Sequence, residues 1–187
     1  MIMRKAFLFL AAFMTAVLTF ADVELKNGSV SDLKSPEARA VVTWDYNNML
    51  IEGKTVKAFL AEKGADWQKD YPAEVSASES TFFAYWGKKS KKSVQLTYDK
   101  AEAQYEFVVH VKSFNYGSTA AAVMFGGYAR GASMQGTVDI VSKASKKAIA
   151  TVGFDCSGKA AYGNEQRRVL VYQDFAKDFA KLISKSK

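Results

Sequence analysis

Few side chains in this chain could act as nucleophiles or bases, because its 187 residues include one histidine and one cysteine. His110 would have to be the base of any Ser-His-Asp or Cys-His site, since both need an imidazole. Its neighbours Val109 and Val111 predict instead an ordinary histidine on the face of a strand. Cys156 continues the apolar side of another predicted strand, and free cysteines are among the most buried residues. We therefore interpret both as structural residues.

Carboxylates offer a second route to catalysis. A hydrolase that resembles a glycosidase needs two acidic groups about 5–9.5 Å apart in one cleft. Asp45, Asp139 and Asp155 lie in or beside predicted strands, so the fold could bring them together, although their spacing in sequence does not show it. An envelope-acting hydrolase that uses paired carboxylates is therefore the alternative functional hypothesis.

The sequence predicts no cofactor and no metal site. Zinc sites draw on several His or Cys ligands, and this chain has one of each. Residues 126–131 contain three glycines, but they lack the G-x-G-x-x-G spacing and the lysine of a phosphate-binding loop. We assign no catalytic, cofactor-binding or metal-binding residue.

The segment of residues 118–136, STAAAVMFGGYARGASMQG, is unusual because its one charge is Arg130. It can be a glycine-broken strand with Met124 and Phe125 in the core, since glycine in a strand marks a bulge or a close backbone approach. It can also be an exposed apolar segment or an uncharged strand edge that meets a partner. Methionine, tyrosine and arginine are enriched at protein interfaces. Any partner surface is predicted to include Met124, Phe125, Tyr128 and Arg130.

Residues 1–21 have the layout of a secretory signal peptide. Arg4 and Lys5 precede an apolar run over residues 6–20, and Ala21 completes a small-x-small cleavage site before Asp22. The run is too short for a comfortable membrane span of about 20 residues. We therefore expect a periplasmic or secreted protein whose mature chain has no transmembrane helix.

The composition narrows the class of partner. Removal of the two basic residues of the signal lowers the formal charge from +7 to +5. A nucleic-acid-binding protein shows a concentrated basic face, which such a modest excess does not predict. We therefore expect the partner to be a protein or another component of the envelope. A second copy of this chain, in a homo-oligomer, is one such protein.

Apolar periodicity predicts the elements of the first half. Residues 39–46 are typical of a strand buried on both faces. A helix over residues 55–63 is followed by a turn of helix that Pro72 breaks. The capping box Ser76-x-x-Glu79 then begins a new helix, which Gly87 ends.

The second half is predicted to be mostly β. Residues 94–98 and 105–111 alternate as a first hairpin, and residues 137–142 and 148–156 as a second. An amphipathic helix closes the chain, with a stripe of apolar residues: Val171, Phe175, Phe179, Leu182 and Ile183. We predict an α+β fold, a single domain with a largely antiparallel sheet and two to three helices packed on one face. The predicted boundaries are residues 1–21 for the signal, 22–37 for an N-terminal extension and 38–187 for the α+β domain.

The order of these features resembles uncharacterised exported families of the bacterial envelope. The features are a helix-bearing first half, Tyr105-x-Phe107-Val108-Val109, the Gly/Ala-rich segment, a hairpin and the closing helix around residues 176–183. Such families include lipoproteins whose α+β domain is similar to the N-terminal domain of the Tol-system translocation protein. The pattern covers residues 38–184 without an invariant motif, and this chain lacks the lipoprotein cysteine.

The resemblance implies a fold and a location but transfers no catalytic residue. With no catalytic signature in the residues themselves, we expect an exported, non-catalytic binding or envelope-assembly module.

Overall fold

A computed structural model of the chain describes residues 22–117 and 130–186. The predicted signal peptide lies outside these residues. In chain order the elements are β1 (Asp22–Gly28), a 3-10 helix (Ser31–Leu33), β2 (Arg39–Asp45), β3 (Leu50–Ile51), β4 (Lys54–Thr55), α1 (Val56–Lys63), α2 (Ala65–Lys89), β5 (Gln95–Leu96), β6 (Tyr105–Asn115), β7 (Arg130–Ser142), β8 (Lys147–Lys159) and α3 (Asn164–Lys185).

The strands form one mixed, mostly antiparallel sheet in the order β1-β8-β7-β6-β2-β5, with β3 on β6 and β4 on β3. The four strands β1, β8, β7 and β6 are antiparallel neighbours. β2 is parallel to both β6 and β5. The α+β prediction is confirmed, as is the second hairpin, whose strands β7 and β8 are longer than predicted.

The predicted first hairpin is wrong. β5 and β6 do not pair with each other but lie on either side of β2, each parallel to it. Alternation identifies a strand without identifying its neighbour. β2 has no charged residue between Arg39 and Asp45, so its uncharged side chains suit a strand that lies between two others.

Burial of β2 on both faces holds only at its start, where Ala40 and Val41, on opposite faces, are both buried. Val42 and Trp44 face the helices, and Thr43, on the opposite face, is exposed. The helices leave that face of the sheet uncovered, so alternate residues of its strands meet solvent.

One continuous helix, α2, replaces the predicted break and restart. Pro72 lies inside it, Ser76 does not cap it, and it continues past Gly87 to Lys89. An interior proline costs about 3 kcal/mol, but burial of an aromatic side chain contributes a comparable amount. Phe82 and Trp86 of α2 are both fully buried, and the Trp86 indole donates to the Val94 carbonyl at 2.9 Å. Tertiary packing therefore overrides the local signal.

The amphipathic stripe of α3 is confirmed and forms the centre of the core. Its buried members are Val171, Phe175, Phe179 and Ile183, and Leu182 is half-buried. α3 packs against α2 and against β8, β7 and β1. Among the described residues, no helix is both long and apolar enough to cross a membrane.

Candidate functional site

The structure describes little of the predicted partner surface. Met124, Phe125 and Tyr128 lie outside the described residues, and Arg130 begins β7 with its side chain also outside them. The following stretch of β7, Ser133–Gly136, pairs with β6 on one side and with β8 on the other. This stretch is therefore not a free edge.

Glycine in β7 has a packing reason. A Cβ atom at Gly136 would lie 2.1 Å from the His110 carbonyl oxygen, and one at Gly131 would lie 2.1 Å from that of Lys159. No side chain fits at such distances. For residues 130–136 the structure therefore agrees with a glycine-containing interior strand.

Two of the three candidate carboxylates converge, on the sheet face that the helices leave uncovered. Asp45 lies 2.8 Å from Nδ1 of His110, and Asp139 lies 3.5 Å from its Nε2. The Thr151 hydroxyl donates to Asp139 at 2.7 Å. Asp155 is elsewhere and accepts a hydrogen bond from a glutamine of β7. This Asp-His-Asp cluster joins side chains of β2, β6 and β7.

The cluster lies open to solvent. The His110 side chain is 37% exposed, and no member of the cluster lines the groove described below. The backbone N–H of Asn47 and the imidazole both donate to Asp45, which lowers the pKa of that carboxyl. Within residues 22–117 and 130–186, no hydroxyl bonds to the imidazole, and no group of three His, Cys, Asp or Glu side chains is arranged so that it could hold a metal ion. The arrangement links three neighbouring strands across an open face of the sheet.

A groove lies between α2 and the edge of β2. Its main part has a volume of about 1120 Å³ and runs from Trp44 to Leu50 along the strand end and from Tyr71 to Glu79 along the helix. A second part of about 340 Å³ continues it towards Phe83 and Tyr98. We call the two parts together the β2–α2 groove.

The backbone of β2 is unpaired along this groove. The carbonyl of Ala40 accepts from Thr97 of the β5 segment, and the β5 pairing ends there. Since main-chain groups of alternate residues in a strand point to the same side, those of Val42 and Trp44 also point away from β6. Among the described residues, no hydrogen bond reaches their N–H and C=O groups. Two N–H and two C=O groups therefore face the groove.

One carboxylate, Glu79 of α2, lines the groove together with aromatic rings from the end of β2. Oε1 of Glu79 accepts a hydrogen bond from the Tyr46 hydroxyl at 2.8 Å. The same hydroxyl lies 2.9 Å from the hydroxyl of Tyr172. Burial raises the pKa of Glu79 and that of Tyr46. The ring of Trp44 stacks on that of Tyr46. The wall is therefore built from rigid side chains that the core holds in place.

A fully buried arginine supports this wall from behind. The Arg168 guanidinium lies 5.1 Å from the centre of the Tyr71 ring and 4.4 Å from that of Phe114. Its Nη1 donates to the Tyr116 hydroxyl at 3.2 Å and is 3.6 Å from Glu74. Because Tyr71 lines the groove, the guanidinium positions one of its surfaces.

The free edge of β1 and the open part of β2 differ in charge. β1 contains Asp22, Glu24 and Lys26 within seven residues, and Glu24 and Lys26 form an ion pair. Charged residues on an edge strand discourage pairing with another chain. The open part of β2 has no charge between Arg39 and Asp45. The open part of β2 therefore lacks the charges that protect β1.

No pattern in the sequence predicted this groove. Aromatic residues at the end of a β-branched strand, in Thr-Trp-Asp-Tyr, were the one available signal. They do not reveal that β5 stops short of them.

Comparisons with known proteins provide no family. No protein-family model matches the chain, and no curated protein matches its sequence. Among solved structures, it is similar to the PelC dodecamer from Paraburkholderia phytofirmans in a crystal of space group P6, with 13% identity, a TM-score of 0.45 and coverage of 87% of this chain and 96% of that one. A leucine-to-methionine variant of that PelC, in space group C2, has the same identity and TM-score and covers 89% and 99%.

Proposed function

We propose that this protein is an exported, non-catalytic binding module that accepts an extended peptide strand from a partner protein in the β2–α2 groove. The observation that carries the proposal is the unpaired backbone of Val42 and Trp44 beside a groove. A strand added there continues the sheet where β5 stops, and α2 forms a wall for its side chains. Peptides add to exposed sheet edges in this way in several kinds of recognition domain.

The surroundings of the edge support a peptide as the ligand. Backbone hydrogen bonds give such a complex its affinity, and pockets for alternate side chains give it specificity. The groove offers one pocket between Tyr46, Tyr71 and Val75 and another beside Phe83. Aromatic side chains of this kind contribute large contact areas at interfaces.

The location of the protein is part of the proposal. It rests on the signal-like layout of residues 1–21, with processing before Asp22 and a periplasmic or secreted mature chain. The resemblance to exported envelope families agrees with this location. N-terminal sequencing of the exported protein tests it, since retention of Met1 would contradict processing.

Selection from a displayed library of random twelve-residue peptides tests the binding function. We expect peptides to be selected on the purified protein and to be lost when Ser76→Trp fills the groove. Ser76 is an exposed residue of α2 that lines both parts of the groove. Ala84→Trp is the matched control, because Ala84 is exposed on the same helix and does not line the groove. No selection, or equal capture by the wild type and Ser76→Trp, would contradict the proposal.

The hydrolase alternative has one observation in its favour, the convergence of Asp45 and Asp139 on His110. Both carboxylates already contact the imidazole on an open face, whereas a glycosidase-like pair needs a cleft between the two carboxylates. Release of sugar or peptide products from envelope material by the wild type, lost in Asp139→Asn, would favour this alternative.

A further inference from the structure

We propose that the strand accepted by the β2–α2 groove carries a basic side chain, lysine or arginine, opposite Glu79. This inference rests on the proposed function and names the chemistry of its ligand.

Glu79 occupies the centre of the groove. It lines both the main part and its continuation, one helical turn from Ser76 on the same face of α2. A strand lying along β2 therefore presents one of its α2-facing side chains to this carboxylate. Side chains further along the strand meet uncharged wall residues, Val75 in one direction and Phe83 in the other.

The carboxylate has capacity for another partner. Oε1 accepts the Tyr46 hydroxyl, while Oε2 makes no hydrogen bond among the described residues. No lysine, arginine or histidine nitrogen of those residues lies within 4.0 Å of either oxygen. The nearby Arg168 contacts Glu74 and attracts the Glu79 charge from a distance, without a hydrogen bond to it.

The surroundings make a cation favourable at this point. A half-buried carboxylate loses hydration and recovers the cost only by pairing or hydrogen bonding. A bound strand would exclude more water from Glu79, so a basic group on that strand is the natural compensation. The nearby rings of Trp44 and Tyr46 add π faces, which also attract cations.

Lys100 disfavours a second basic residue in the bound strand. It is exposed, lines both parts of the groove and forms no ion pair with Glu79. A side chain of the bound strand that lies beside Lys100 would not be basic, because two like charges repel each other. We therefore expect a single basic residue in the bound segment rather than a basic run.

The peptides selected from the library test this inference. We expect them to share one lysine or arginine, and its replacement by norleucine to weaken binding to the wild type about tenfold, the effect of one partly exposed charge-assisted hydrogen bond. On Glu79→Gln, which keeps an oxygen for the Tyr46 hydroxyl, the same replacement should change binding less than about twofold.

Asp70→Asn is the matched control. Asp70 is an exposed carboxylate of the same helix that lines a different cavity, so its loss changes the net charge equally. It should keep the wild-type preference for lysine. Glu79→Met, which is uncharged and of similar length, should lose this preference as Glu79→Gln does, and it leaves the test usable if Glu79→Gln does not fold.

The outcomes separate the two proposals. Selected peptides without a shared basic residue, or an equal norleucine effect on the wild type and Glu79→Gln, would overturn this inference and leave the binding function standing. A library that yields no groove-dependent peptide would overturn both.

Discussion

At the scale of single residues, the Asp-His-Asp cluster predicts a pH dependence. The pKa of Asp45 lies below its ordinary 3.8 because the Asn47 backbone N–H and His110 donate to it. A lowered folded-state pKa contributes stability that is present above the ordinary value and is lost as pH falls through the folded one. Asp45→Asn should therefore be less stable than the wild type near neutral pH. The difference in free energy of unfolding, measured with urea, should shrink below pH 3.8. A difference that stays constant in acid would refute the assignment.

Arg168 provides a second prediction at this scale. Its side chain is fully buried, and its Nε and Nη2 have no hydrogen-bond partner among the described residues. Removal of one member of a buried ion pair leaves the other uncompensated and costs about 3–5 kcal/mol. We expect Arg168→Met to lose this much stability in urea denaturation, and Arg168→Met combined with Glu74→Gln to recover part of it. A double variant no more stable than Arg168→Met would show that Glu74 is not the partner that matters.

At the scale of elements, the open edge of β2 predicts an alternating pattern of hydrogen exchange. The amides of Val42 and Trp44 face the groove without a partner, whereas those of Thr43 and Asp45 face β6. A paired amide must open before its hydrogen exchanges, whereas an unpaired amide exchanges without that step. By NMR, we expect Val42 and Trp44 to exchange faster than Thr43 and Asp45 in the free protein. A selected peptide should slow the first pair only. Uniform exchange along β2 would contradict an open edge.

Helix α2 predicts the effect of its internal proline. Pro72 is exposed and lacks the N–H that would bond one turn back. Alanine recovers about 3 kcal/mol of helix propensity, and the more flexible unfolded chain offsets about 1 kcal/mol. Pro72→Ala should therefore raise the free energy of unfolding by about 2 kcal/mol in urea denaturation. A loss of stability would show that the wall needs proline at this position.

At the scale of the whole molecule, stability depends on the aromatic core between α3 and the sheet. Phe175 is fully buried, with its ring centre 4.3 Å from that of Phe154 and 5.1 Å from that of Phe82. Phe175→Ala should cost about 3–5 kcal/mol in the free energy of unfolding. Tyr162→Ala, at a side chain that is 76% exposed, should change it by less than about 0.5 kcal/mol. Similar losses in both would contradict this location of the core.

The sequence by itself determined the elements whose signal is local. Apolar alternation identified β7 and β8, and the stripe from Val171 to Ile183 identified the face of α3 that is buried. These predictions succeeded because the spacing of apolar residues within a strand or helix determines which of its faces is buried, independently of the element that packs against it. The α+β class followed from the order of the elements.

Tertiary structure decided what depends on neighbours distant in sequence. The Asp45–His110 contact spans 65 residues, and the Tyr46–Tyr172 contact spans 126. Strand order, the continuation of α2 through Pro72 and the open edge of β2 have the same origin. A strand's period shows that it pairs, but the packing of the whole sheet selects its partner and the residue at which pairing stops. The groove exists because β5 ends at Leu96 while β2 continues to Asp45. The sequence does not show that β5 is the neighbour of β2, so only the folded sheet reveals where β2 is left unpaired.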